Sequence, residues 1–153
     1  MGSRYKVNMH YQKKIASIPV NNILADGFEF RRERKRHGFQ IWMDGELIWD
    51  FPHEFADAPT DKNRTNSGID VWQSTWHNFH LRSLHRFLRL YVDTPRDKLD
   101  EITDDYLGLR DLLLAADKRR GRHSAAILMF TTDSAKARKI IHHRFGRKDR
   151  AQA

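Results

Sequence analysis

The chain of 153 residues contains no cysteine. This excludes disulfide bonds, zinc–thiolate sites, iron–sulfur clusters and a cysteine nucleophile. It has no apolar run approaching the roughly 20 residues that a membrane-spanning helix needs. Its first residues also lack the apolar core of a secretion signal. We therefore expect a cytoplasmic protein that makes no contact with a membrane.

Proline and glycine are scarce, at 4 and 8 residues, which argues against a low-complexity chain. The 4 tryptophans, 4 tyrosines and 9 phenylalanines are enough to form a packed core. The length matches one domain. The fold that we predict is α+β, with an antiparallel sheet of three to four strands in the N-terminal half and about three helices in the C-terminal half. The β-rich part covers 4–56, a loop covers 57–69, the helical part covers 70–146, and 147–153 is a frayed tail.

Charge is distributed unevenly along a chain whose formal net charge is +8. Asp93–Asp117 contains eight acidic and three basic residues, a net charge of −5. Lys118–Arg150 contains eleven basic and two acidic residues, a net charge of +9. A second basic cluster covers 31–36 and is interrupted only by Glu33. This asymmetry predicts an oriented dipole whose basic end faces a polyanion.

Three segments of the N-terminal half have the pattern of β-strands. Arg4–Tyr11 and Phe28–Glu33 alternate apolar and polar residues, with a period of two that is typical of half-buried strands. Phe39–Phe51 contains two apolar runs around Asp44-Gly45, which favours a two-residue hairpin turn with positive φ at both residues. In this register Trp42 lies opposite Leu47, and both faces of the hairpin carry apolar side chains. We therefore expect both faces of the sheet to be covered.

The C-terminal half has helical periodicity. Val71–Val92 predicts one long amphipathic helix, which carries a basic stripe of Arg82, Arg86 and Arg89. Apolar spacing predicts a second helix from Pro95 to Lys118, with Gly121 ending it. Ala125–Thr132 is compatible with a strand or a short helix. A final helix over Ala135–Phe145 begins after Asp133 or Ser134 and ends at Gly146.

These features favour a protein that binds nucleic acid, either DNA or RNA. We expect it to have no catalytic activity and no cofactor. If Ala125–Thr132 is helical, it forms a helix-turn-helix layout with the basic final helix. The cluster at 31–36 adjoins the aromatic hairpin, a combination that suits single-stranded nucleic acid. The candidate phosphate-contacting residues are Arg31, Arg32, Arg34, Lys35, Arg36, Arg119, Arg120, Arg122, Lys136, Arg138, Lys139, His142, His143 and Arg147.

Two other function classes are compatible with the sequence. The first is a small nuclease that uses some of the nine histidines, since imidazole titrates near neutral pH. The second is a phage- or plasmid-type inhibitor that docks on a nucleic-acid-processing protein. His53–Asp57 and Arg36–Gly38 only weakly match metal-binding and phosphohistidine motifs. No glycine-rich phosphate loop or dinucleotide fingerprint is present.

Overall fold

A computed structural model gives the fold. It describes residues 10–34, 37–51 and 76–146 in full, and residues 9 and 67–75 by their backbone alone. The described chain has the predicted α+β arrangement, with a three-stranded antiparallel sheet in the N-terminal half and helices in the C-terminal half. The main elements are α1 (Met9–Ala16), β1 (Phe28–Glu33), β2 (Gly38–Met43), β3 (Glu46–Phe51), α2 (Ser67–Asp93), α3 (Leu109–Ala116), α4 (Arg122–Thr131) and α5 (Ala135–Ile141).

The sheet has the order β1-β2-β3, and the turn between β2 and β3 is the one predicted. Asp44 has a φ of 45° and Gly45 a φ of 85°, so both turn residues lie in the left-handed region. Asp and Gly tolerate this conformation better than other residues do, which explains why the turn forms here. The backbone N–H of Asp44 also donates to the carbonyl of Gly27 at 2.8 Å.

The register of the hairpin differs from the prediction beyond its first two pairs. Trp42 lies opposite Leu47 as expected, but Ile41 pairs with Trp49, because a bulge at Ile48 shifts the ladder by one residue. The bulge brings Trp49 onto the same face as Ile41, where both are buried. The other face carries the half-buried Trp42 and an exposed Leu47, so the expectation of two apolar-covered faces is wrong.

The predicted strand at Arg4–Tyr11 is wrong over its described part. Residues 9–11 begin helix α1, and residues 4–8 lie outside the described residues. Gln12 and Ile15 are both buried completely, three residues apart, as on the inner face of a helix. The alternation in the sequence continues only to Tyr11, whereas the helical pattern extends through Ile15.

The long helix of the C-terminal half is confirmed, and it is longer than predicted. Helix α2 covers Ser67–Asp93, so it includes the last residues of the expected loop, whose other residues lie outside the described part. Leu81, Leu84 and Leu88 recur at helical spacing and are all fully buried.

The predicted single helix from Pro95 to Lys118 is wrong. A 3-10 helix covers Arg96–Glu101, a non-helical stretch follows, and α3 begins only at Leu109. Tyr106, Leu107 and Gly108 have φ values of 46°, 55° and 88°, so three consecutive residues are left-handed. This conformation interrupts a right-handed helix, and glycine adopts it most easily.

The undecided segment at Ala125–Thr132 is helical. All of it except Thr132 belongs to α4, which begins after Gly121, so that glycine precedes a helix instead of ending one. Helix α5 begins after Ser134 as predicted, and it continues as a π-helical turn over His142–Gly146. The final helical segment therefore ends close to the predicted position.

The two halves meet at a short β-bridge between Leu24 and Asp117. The N–H of Ala25 donates to the carbonyl of Ala116 at 2.8 Å, and the N–H of Lys118 donates to that of Ile23 at 2.7 Å. In the described part of the chain, no helix has both the length and the apolar character that crossing a membrane requires.

Candidate nucleic-acid interface

Helices α4 and α5 are joined by the three residues Thr132–Ser134, and this turn is firmly held. The Ser134 hydroxyl accepts a hydrogen bond from the N–H of Ala137 at 3.1 Å, as an N-cap does. The Thr132 hydroxyl donates to the buried carboxylate of Asp111, on α3, at 2.6 Å. Helix α3 packs against both α4 and α5. The result is a helix, a short turn and a second helix, supported by a third.

Helix α5 has an apolar face and a basic face, as its sequence predicts. Ala137, Ile140 and Ile141 are buried against the core. Its exposed basic side chains are those of Lys136, Arg138 and Lys139, and the exposed His142 follows directly after the helix. Arg138 also reaches back along the helix, and its guanidinium donates to the carbonyl of Thr132 at 2.5 Å.

The β2–β3 turn lies against the basic face of α5. Glu46 forms an ion pair with Lys139, and each of these side chains is about half exposed. Asp44 contacts the imidazole of His143, whose ring also packs edge-on against Phe28 at 6.2 Å. Two of the predicted phosphate-contacting residues therefore already have acidic neighbours within the chain.

Arg119 and Arg120 point into the fold. Asp117, which is fully buried, accepts from the Arg119 guanidinium at 2.7 Å and from the Tyr91 hydroxyl at 2.8 Å. The hydrogen bond to Asp117 raises the pKa of Arg119, and burial raises the pKa of Tyr91. Arg120 is 8% exposed and pairs with Asp100 at 3.3 Å. In this arrangement both guanidiniums stabilise the fold.

Arg144 has a structural role that the sequence analysis did not assign. Its guanidinium donates to the carbonyls of Ala115 at 2.7 Å, Asp117 at 3.2 Å and Arg120 at 3.2 Å. Burial lowers its pKa from the usual range of arginine. The available signal was helical spacing, because Arg144 follows Ile140 by four residues and so lies on the buried face.

The second basic cluster divides between several environments. Arg31 stacks over Trp42, with its guanidinium 4.2 Å from the ring centroid, and pairs with Glu29 at 3.5 Å. The Arg32 guanidinium donates to Gln12 on α1 at 2.9 Å, which joins this cluster to the first helix. Arg34 is exposed. Lys35 and Arg36 lie outside the described residues.

Those remaining predicted residues and histidines that the structure describes lie in separate places. Arg122 begins α4 and lies 5.6 Å from the ring of Phe145, and Arg147 lies outside the described residues. His77 is buried beside Trp76, with ring centroids 5.4 Å apart. Over the described residues, no group of three histidine, aspartate or glutamate side chains could hold a metal ion. The His53–Asp57 motif lies outside that part.

Part of the outward side of α4 is apolar, although Arg122, His123 and Thr131 are also exposed. Phe130 is 91% exposed and Ile127 is 51% exposed. Beside them, a cavity of about 280 Å³ lies between α4 and the end of α5, with Met129 and Phe145 in its walls. Exposed apolar side chains that lie next to one another are typical of protein-binding surfaces.

The described architecture defines an α+β protein with a basic helix at its C-terminal end. No protein family, no curated protein and no solved structure matches this chain. Its function must therefore be inferred from its own residues.

Proposed function

We propose that this chain binds nucleic acid and contacts phosphates through α5. One observation carries the proposal: α4, the three-residue turn and α5 form a helix-turn-helix layout with basic side chains outward on the second helix. Lys136, Arg138, Lys139 and His142 are its contact residues. Arg31 and Arg34 form a second contact.

The ion pair between Lys139 and Glu46 does not prevent this role. Both side chains are about half exposed, and exposed ion pairs typically contribute roughly 0–1 kcal/mol. A phosphate can therefore replace Glu46 at little cost in free energy. Arg119 and Arg120 are not part of the proposed contact, because the buried carboxylate of Asp117 holds Arg119 and because Arg120 is itself buried.

The salt dependence of binding tests this proposal. The affinity for duplex DNA, single-stranded DNA and RNA is measured by fluorescence anisotropy at several salt concentrations. Replacing Lys136 and Lys139 by alanine should flatten the log–log slope on duplex DNA by roughly one to two units. The control variant replaces Arg96 and Lys98, two exposed cations of the 3-10 helix, by alanine. An equal slope for parent and α5 variant contradicts the proposal.

The apolar side of α4 favours a second candidate, an inhibitor that docks on a nucleic-acid-processing protein. Phe130 is 91% exposed, and an exposed aromatic side chain of this kind is a typical anchor for a protein partner. In this case Phe130→Asp abolishes inhibition of a purified polymerase or nuclease and leaves α5-dependent DNA binding unchanged. A Phe130→Asp variant that inhibits as well as the parent contradicts this candidate.

A further inference from the structure

A cationic groove lies between α1 and the second half of α2, remote in sequence from α5. Its volume is about 340 Å³. It is formed where α1 packs against α2, with the Tyr11 and His85 rings 5.9 Å apart at the contact. The lining residues are Tyr11, Lys14, Arg82, His85, Arg86 and Arg89.

The positive charge of this groove is largely uncompensated. Lys14, Arg82 and Arg86 are exposed, and none of them forms an ion pair within the described residues. Arg89 alone is neutralised there, by both carboxylate oxygens of Asp93 at 2.8 and 2.9 Å. None of the described side chains that line the groove is acidic.

The pKa of His85, the histidine in the groove, is affected by this positive charge. Burial, followed by the charges of Lys14, Arg89 and His10, lowers the pKa of His85. Lys14 belongs to α1 and Arg89 to α2, so the positive potential results from the packing of α1 on α2. A neutral imidazole is the form that such a potential favours.

We propose that this groove binds the phosphates of a single nucleic-acid strand. Lys14, Arg82 and Arg86 would contact successive phosphates, because Arg82 and Arg86 lie one helical turn apart on the same face. Tyr11 and His85 add aromatic rings to the lining of the same groove, and single-strand sites combine basic grooves with aromatic rings. The inference shares the proposed ligand, nucleic acid, but it rests on residues other than those of α5.

Charge removal tests the groove directly. Arg82→Gln together with Arg86→Gln should weaken binding of a single-stranded oligonucleotide by about tenfold or more, as expected for the loss of two charge-assisted contacts. The log–log salt slope should flatten by about 1.4, since each phosphate contact on a single strand contributes about 0.7. The control replaces the exposed Arg96 and Lys98 by Gln, which removes the same charge, and circular dichroism verifies the folding of both variants.

The imidazole of His85 provides a second, local measurement. NMR titration follows its pKa alone, with inorganic phosphate and with the oligonucleotide, and the signal is assigned by its absence in His85→Gln. A bound strand should raise the pKa, because its negative charge offsets the cations that lower it. A shift with inorganic phosphate but none with the strand identifies a free-anion site and overturns the inference.

The outcomes separate this inference from the proposed function. If the α5 variant weakens binding and the Arg82 and Arg86 variant does not, the groove inference is wrong and the α5 proposal stands. If the reverse holds, the groove is the nucleic-acid site and the α5 proposal is wrong. A parent protein that binds no oligonucleotide overturns both, whatever inorganic phosphate does.

Discussion

The basic face of α5 and the groove between α1 and α2 differ in how many acidic side chains lie next to their basic residues. On α5, the β2–β3 turn supplies Glu46 to Lys139 and Asp44 to His143. In the groove, Arg82 and Arg86 have no acidic partner among the described residues. The basic face of α5 is thus partly neutralised by acids of the turn, whereas Arg82 and Arg86 in the groove are not neutralised by any described acid. A run of positive residues therefore does not by itself predict a positive surface. The acidic side chains that folding brings next to the run must also be known.

The largest expected effect comes from the interior of the C-terminal region. Asp117→Ala should lower the free energy of unfolding by about 3–5 kcal/mol, because it leaves the Arg119 guanidinium and the Tyr91 hydroxyl without their buried partner. Urea denaturation measures the change. Asp93→Ala is the control, since it breaks the exposed pair with Arg89 and should cost less than about 1 kcal/mol. If both variants lost the same free energy of unfolding, the buried pair of Arg119 would contribute no more than the exposed pair of Arg89, and the comparison would be wrong.

The next effect concerns the turn that brings the acids to α5. Gly45→Val should destabilise the protein by about 1–2 kcal/mol, because a β-branched residue resists a φ of 85°. A Cβ at this position meets no neighbouring atom, so the cost comes from the backbone conformation. Gly121→Val is the control, because Gly121 has an extended φ of −100° and an equally open Cβ position. Thermal melting compares the two variants, and similar melting temperatures would contradict this account of the turn.

A milder change should make the two basic faces alike. Asp44→Asn with Glu46→Gln removes both acids from the surface of α5 and keeps the shape of the turn. Duplex affinity should rise by roughly threefold to tenfold at low salt, since exposed ion pairs contribute about 0.2–1 kcal/mol each. Asp97→Asn with Glu101→Gln, two exposed acids of the 3-10 helix, is the matched control for charge. If this variant bound duplex DNA no more tightly than the control variant, the duplex would not bind at α5.

The smallest effect lies in the groove itself. Lys14→Ala should raise the pKa of His85, because one of the cations that lower it is removed. The folded-state pKa lies below 6.5, so the folded protein binds this proton less readily than the unfolded chain. His85 therefore lowers stability as the pH falls through 6.5, and Lys14→Ala should reduce that loss. NMR titration measures the pKa, with Lys98→Ala as the control that leaves it unchanged.

Local signals explain which parts of the fold could be predicted. Asp44-Gly45 specifies its turn from two adjacent residues, and the leucines of α2 specify a helix from their spacing alone. The bulge at Ile48 could not be predicted, because burial of Trp49 against the core decides it. The break before α3 was missed because Leu99 and Ile102 are buried at a helical spacing without being in an α-helix.

The candidate sites depended on contacts that no local pattern contains. Arg119 and Arg120 belong to a basic run. Asp117 is adjacent to that run in the sequence, but its burial and the approach of Asp100 to Arg120 appear only in the folded chain. The arginine stripe of α2 was visible in the sequence as a stripe. The groove could not be predicted, because it also needs Lys14. This residue lies about seventy residues earlier and approaches the stripe only when α1 packs on α2.

The β-bridge between Leu24 and Asp117 has a consequence for how the chain folds. The two residues are 117 − 24 = 93 positions apart, so the bridge closes a long loop and raises the contact order. Closing a loop of that length costs roughly 4 kcal/mol in chain entropy beyond a constant term. We therefore expect the sheet and the helices to fold in one slow, concerted step, and neither half to fold when expressed as a separate fragment.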